Sequence, residues 1–83
     1  MISIKEELEA LNPQALLADG FEDALIGWGM QATKMPVAIY NYDKCVEILI
    51  NEGSSQDDAI EWMEYNVTNA WYGEGTPIFM REA

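Results

Sequence analysis

Hydrophobic and polar positions from Asp43 to Trp71 follow the period of an α-helix, with one short interruption. In the first half, apolar residues recur three and four positions apart, which predicts a buried helix face made of Cys45, Val46, Ile48, Leu49 and Ile50. We expect Asn41 or Asp43 to cap the start of this helix. Gly53 is expected to end it, because glycine adopts the left-handed conformation of a helix terminus without steric cost.

The second half of this stretch predicts another helix. Ser54 or Ser55 is expected to begin it, and Asp58 stands three residues after Ser55, as in a capping box. Its apolar face is predicted to contain Ile60, Met63, Val67, Ala70 and Trp71, and a second face carries the acidic residues Asp57, Asp58, Glu61 and Glu64. The short turn between the two helices predicts that they pack against each other as a helix-turn-helix pair.

The remaining segments predict short helices and strands. Residues 3–11 have helical spacing, and Asn12-Pro13 is expected to break that helix and begin a second short helix over residues 14–18. Residues 36–40 are typical of a strand, and residues 76–80 of a last short strand. For residues 21–30 a helix and a strand both fit, but Gly27 and Gly29 disfavour a helix and favour a bulged strand over residues 24–30.

These elements together predict a fold class. We expect a small single α+β domain spanning residues 1–83, with an N-terminal helix or two before the sheet. Residues 24–30 and 36–40 should pair as a hairpin. The last strand should complete a three-stranded antiparallel sheet, and the central helix-turn-helix pair should pack on one face of it.

Charge and composition exclude several function classes. The chain carries 15 acidic and 4 basic residues, a net charge of −11, which disfavours direct binding to nucleic acid and to anionic membranes. The acidity serves solubility or steers a basic partner toward the protein. No apolar run approaches the ~18 residues of a membrane span. A single cysteine, Cys45, and the lack of a signal peptide indicate a cytoplasmic protein.

Catalytic and metal chemistry finds little support in the residue types. The chain has no histidine, which excludes Ser–His and Cys–His arrangements, and carboxylate pairs are expected by chance on so acidic a surface. Zinc is disfavoured for the same reason, and the acidic residues lack the spacing of a calcium loop. We therefore expect no enzyme activity, no cofactor and no bound metal.

Aromatic residues beside the acidic ones are the leading candidate for a recognition surface. Trp62 and Tyr65 fall between the acidic and apolar faces of the second helix, where they either pack at the rim of the core or bind a partner. As a binding surface they would suit a basic, arginine-rich protein. The predicted contacts are Asp57, Asp58, Glu61, Trp62, Glu64 and Tyr65. Carboxylates in a row on a helix could also imitate a nucleic-acid backbone.

A second hypothesis is a small-ligand pocket. Trp28, Tyr40 and Trp71 could line such a pocket and sequester a nucleotide signal, although the scarcity of Lys and Arg disfavours an anionic ligand. A third hypothesis is a self-assembling structural part or a homodimer formed through the edge of the hairpin.

Four stretches in combination resemble a known group of proteins. They are residues 19–27 (DGFEDALIG), 38–49 (AIYNYDKCVEIL), 64–67 (EYNV) and 73–79 (GEGTPIF). Over about residues 19–80 the chain is similar to a family of small acidic proteins, without an assigned activity, that tailed phages and prophages encode. The resemblance implies a phage protein in a bacterial cytoplasm. It supplies no catalytic or binding residues for this chain. Our leading hypothesis is a non-enzymatic module that engages, and inhibits, a host defence or nucleic-acid-handling protein.

Overall fold

The computed structural model describes residues 3–68 and 70–82 and has the α+β architecture that the sequence predicts. Helices and strands alternate irregularly along the chain. Their bounds are α1 (Ile4–Leu11), a 3-10 turn (Glu22–Ala24), β1 (Leu25–Gly29), β2 (Val37–Asn41), α2 (Tyr42–Asn51), α3 (Gln56–Met63), a π-helical turn (Glu64–Thr68) and β3 (Ile78–Met80).

The helix-turn-helix pair formed by α2 and α3 is confirmed, and its caps explain where each helix begins. The Asn41 side chain accepts a hydrogen bond from the backbone N–H of Lys44 at 3.0 Å. The Ser55 hydroxyl accepts one from the N–H of Asp58 at 3.2 Å. Gly53, with a φ of 115°, lies in the left-handed region just after α2. These residues satisfy backbone groups that a helix end leaves without partners.

The end of α3 differs from the prediction. Regular α-helix stops at Met63, and the π-helical turn carries the chain on to Thr68. Ala70 and Trp71 were predicted to continue the helix but have non-helical backbone, while Asn69 lies outside the described residues. The apolar period is still used as far as Val67, which packs on the core. Beyond it the chain must leave the helix to reach β3.

The sheet is mixed, so the prediction of a purely antiparallel sheet was wrong. Within the described residues the strand order is β1-β2-β3; β1 runs antiparallel to β2, but β3 runs parallel to it. The two helices lie between β2 and β3 in the chain, and such a crossover allows the chain to return and add a parallel strand. The predicted bulge occurs in β1, where Ile26 and Gly27 lie opposite Ile39.

The strand register gives the sheet two different faces. One face carries Leu25, Trp28, Ala38, Tyr40 and Phe79, and the other carries Gly27, Gly29, Val37, Ile39, Ile78 and Met80. Leu8 of α1, Leu49 of α2 and Met63 of α3 all join the core on the first face. The second face is therefore left without a helix among residues 3–68 and 70–82. We call it the open sheet face.

The predicted second N-terminal helix, over residues 14–18, does not form. Residues 13–14 make a turn and residues 15–18 run without regular structure. The Asn12 side chain is buried, where it donates to the Pro36 carbonyl at 2.8 Å and accepts from the Gln14 N–H at 3.0 Å. An asparagine that bonds the backbone two residues ahead forms a turn, which explains why the segment is not helical.

Candidate functional site

A groove with a volume of about 280 Å³ is lined by three segments of the chain, residues 16–21, 62–67 and 72–79. Its walls are mostly apolar side chains. Trp62 forms part of one wall and is 43% exposed. The Trp62 ring packs at a tilt against Phe21, with ring centroids 5.9 Å apart. We call this feature the Trp62 groove.

Tertiary hydrogen bonds fix the wall made by residues 16–21. The N–H of Ala18 donates to the Tyr40 hydroxyl at 2.8 Å, and the N–H of Leu16 donates to the carbonyl of Gly75 at 3.0 Å. A Cβ atom on Gly75 would lie 2.5 Å from the carbonyl oxygen of Gln14, so the two segments approach closely because residue 75 is a glycine. These bonds replace those of the helix predicted for residues 14–18.

The opposite wall follows from the π-helical turn and the loop after it. Asn66 and Val67 of the turn line the groove, and the Asn66 amide donates to the Trp62 carbonyl at 3.1 Å. In the loop, the N–H of Tyr72 donates to the Thr76 hydroxyl at 2.7 Å. Single π-helical turns within helices are rare, and those that do occur are often found at functional sites. The turn here widens the helix where it borders the groove.

The groove has an acidic rim and no basic lining residue. Asp19 is the ionisable lining carboxylate, and the lining residues include neither Lys nor Arg. Elsewhere, Lys34 pairs with Glu74 at 3.8 Å and Arg81 lies over the Tyr42 ring at 3.9 Å. The groove is therefore suited to apolar or cationic groups and poorly suited to phosphate.

The predicted contact residues lie on the exposed side of α3 and the π-helical turn. Asp58, Glu61 and Tyr65 are three or four positions apart, so they form one patch next to Trp62. Tyr65 is 80% exposed. Asp57 and Glu64 are also exposed but lie farther around the helix. We call the patch of Asp58, Glu61 and Tyr65, which borders the Trp62 groove, the acidic face.

Neither the Trp62 groove nor a second, smaller hollow brings together the residues of the alternative pocket, Trp28, Tyr40 and Trp71. Tyr40 is buried in the core, where its ring stacks on Phe79 with centroids 5.5 Å apart. Trp28 is half-buried, and its indole N–H donates to the Glu7 carboxylate. Trp71 lines a hollow of about 130 Å³ that neither Trp28 nor Tyr40 reaches. Tyr40 and Trp28 therefore have structural contacts that account for their burial.

Reactive and metal-binding groups are scarce in the part of the chain that the structure describes. Cys45 is fully buried, and burial raises the pKa of its thiol from 9.0 to about 11, which makes the thiol unreactive at neutral pH. Burial also raises the pKa of Tyr40. Over residues 3–68 and 70–82, no three His, Cys, Asp or Glu residues are grouped as metal ligands would be. In the same residues no helix has the length and apolar character to cross a membrane.

Sequence reasoning missed two of the three groove segments. Residues 14–18 were predicted as a helix, and no helix or strand was predicted for residues 72–75. The positions of these segments depend on Gly75 and on the Tyr40 hydroxyl. Neither contact can be recognised from the residues near it in the sequence. Comparison with protein-family models, curated proteins and solved structures finds no match for the chain.

Proposed function

We propose that the protein is a non-enzymatic protein-binding module that docks a basic partner protein through the Trp62 groove and the acidic face. The partner inserts an apolar side chain into the groove and sets Arg or Lys residues against Asp58 and Glu61. The observation that supports this is the apolar groove, walled by a half-exposed Trp and bordered by carboxylates, with no cation in its lining.

The physical roles of the two parts differ. Trp and Tyr at the centre of an interface account for much of the binding energy, because they bury a large rigid surface. Carboxylates at the rim mainly raise the association rate of a cationic partner, and their effect falls with added salt. Trp62 and Tyr65 therefore set the lifetime of the complex, whereas Asp58 and Glu61 set how fast it forms.

The biological form of the proposal follows from the sequence resemblance. A phage-encoded module in a bacterial cytoplasm would meet host defence and nucleic-acid-handling proteins, and surfaces that bind nucleic acid are rich in Arg and Lys. Occupying such a surface would inhibit the host protein. No reaction and no cofactor are needed for this activity.

A nucleotide-binding role receives less support from the same groove. Phosphates in proteins are usually met by Lys, Arg or clustered backbone N–H groups. The groove lining offers Asp19 in their place. Its volume of about 280 Å³ is also just below the range of ligand pockets, which is roughly 300–1,000 Å³.

Affinity capture with matched variants tests the proposal. The immobilised protein is exposed to bacterial lysate at low and high salt, and retained proteins are identified by mass spectrometry. The test variant is Asp58→Asn with Glu61→Gln; the control is Glu9→Gln with Glu52→Gln, which changes the net charge equally at exposed sites on other segments.

We expect the wild type and the control variant to retain a basic protein at low salt. The Asp58 and Glu61 variant should retain it poorly, and a Trp62→Ala variant should lose it at both salt concentrations. Retention that is equal in all variants, or that follows net charge alone, would contradict the proposal.

A further inference from the structure

The open sheet face is a second apolar surface on the molecule. Ile78 and Met80 are 46% and 38% exposed, whereas Val37 is buried and Ile39 is half-buried. Beside them β1 contributes only Gly27 and Gly29 to this face, so the surface is flat. Monomeric proteins seldom expose contiguous apolar patches larger than a few hundred Å² unless the patch binds something.

The border of this face has a hollow and one ion pair. The hollow, of about 130 Å³, is lined in part by Val37, Trp71 and Ile78, and Trp71 is 69% exposed. Lys34 and Glu74 also line it, and their charged groups lie 3.8 Å apart. One positive and one negative side chain thus stand together at the border.

We propose that the open sheet face binds a second copy of this chain in a two-fold symmetric dimer. The charges at its border favour this occupant over others. A two-fold axis brings each surface against itself, so Lys34 of one copy can meet Glu74 of the other. A uniformly basic or uniformly acidic partner would meet one repulsive charge at that border.

The net charge of −11 does not oppose this arrangement. All acidic residues except Glu74 and Glu82 belong to the helices, their caps and turns, and residues 19–23, which join the core on the other face of the sheet. Face-to-face sheets pack about 10 Å apart, and each helix layer adds about 10 Å. The acidic surfaces would therefore lie well beyond the Debye length of ~8 Å at physiological salt.

The size of the face predicts a weak dimer. Three strands spaced by about 4.8 Å, with at most five residues each, cover roughly 15 by 17 Å. A stable interface buries about 800 Å² per partner, so Met35 and Trp71, which line the hollow at the border, must also contribute. The dimer does not depend on the proposed function of the Trp62 groove.

Sedimentation equilibrium of the full chain tests the dimer. The mass is measured from about 5 μM to about 500 μM, which covers dissociation constants in the micromolar range. The test variants are Ile78→Glu and Gly27→Glu, since a Cβ at Gly27 meets no atom within 4 Å and should not disturb the monomer. Ile50→Glu, at a 39% exposed site on α2, adds the same charge to the helix layer as a control.

The wild type and Ile50→Glu should rise from 9.4 kDa toward twice that mass as concentration increases. Ile78→Glu and Gly27→Glu should remain at the monomer mass, with unchanged circular dichroism. A wild type that stays monomeric at every concentration overturns the proposal. A dimer that persists in Gly27→Glu overturns it as well, since it would be built on another surface.

Discussion

Two buried tyrosines on consecutive elements should respond oppositely to loss of their hydroxyl groups. The Tyr40 hydroxyl accepts a hydrogen bond from the N–H of Ala18, which holds one wall of the Trp62 groove. The Tyr42 hydroxyl is also buried but has no hydrogen-bond partner among residues 3–68 and 70–82. Tyr40→Phe therefore removes a satisfied hydroxyl, and Tyr42→Phe removes an unsatisfied one, with each ring retained.

The magnitude follows from what each change leaves behind. Tyr40→Phe leaves the Ala18 N–H without its acceptor, which costs about 1–3 kcal/mol for a buried donor. Ala18 is half-buried, so the lower part of that range, about 1–2 kcal/mol, is expected. In a domain of this size each kcal/mol lowers the melting temperature by roughly 4–8 °C. Tyr42→Phe should be neutral or stabilising, because burial of an unpaired hydroxyl is unfavourable.

Urea unfolding followed by tryptophan fluorescence measures both effects. Tyr40→Phe should lower the midpoint without changing the slope, which would show that compactness is unaffected. Tyr42→Phe should leave the midpoint unchanged or raise it. Equal destabilisation by the two substitutions, or none by Tyr40→Phe, would refute the claim that the Tyr40 hydroxyl fixes the groove wall.

Four further substitutions test the local structure and the buried thiol. Gly75→Ala should destabilise the fold by about 1–3 kcal/mol, because its Cβ would lie 2.5 Å from the Gln14 carbonyl oxygen; Gly27→Ala, with open space around its Cβ, should be neutral or stabilising in urea unfolding. Asn41→Ala removes the N-cap of α2 and should cost about 1 kcal/mol in the same assay. Burial raises the pKa of Cys45 to about 11 from 9.0, so the folded state holds its proton more tightly. The thiol should contribute fully to the free energy of unfolding below pH 9, and this contribution should be lost as the pH rises through 11. In Cys45→Ala the free energy of unfolding should therefore fall less over this pH range.

Each of these changes has a result that would contradict its reasoning. Equal stability of Gly75→Ala and Gly27→Ala would mean that the approach of Gly75 to Gln14 is not tight. Unchanged stability of Asn41→Ala would show that its side chain does not cap α2. If the wild type and Cys45→Ala lose stability equally at alkaline pH, the loss comes from other groups, such as the buried Tyr40.

Local signals in the sequence predicted those elements whose stabilising contacts are local. The helix pair was predicted with its caps, because Asn41, Ser55 and Gly53 act within a few residues of where they stand. The strand positions and the bulge near Gly27 followed from residue type in the same way. For such elements propensity and tertiary structure agree.

The parts that were wrong or missed depend on distant partners. Residues 14–18 look helical by sequence, yet Asn12 bonds Pro36, and Ala18 bonds Tyr40, across more than 20 positions of the chain. The parallel direction of β3 depends on how α2 and α3 return the chain to the sheet, which no local pattern records. The acidic face was predicted from helical spacing, but the groove beside it was not.

The most direct test of the binding proposal is to map a probe peptide onto the protein by NMR. The probe is a short peptide with one Trp flanked by arginines, titrated into ¹⁵N-labelled protein at fixed protein concentration. Two control peptides replace the Trp with Ala or the arginines with Glu. We predict salt-sensitive shift changes concentrated in residues 16–21, 58–67 and 72–77, which weaken with the Ala control and vanish with the Glu control. Shift changes on the open sheet face around Ile78, or spread over every acidic helix in proportion to charge, would contradict it.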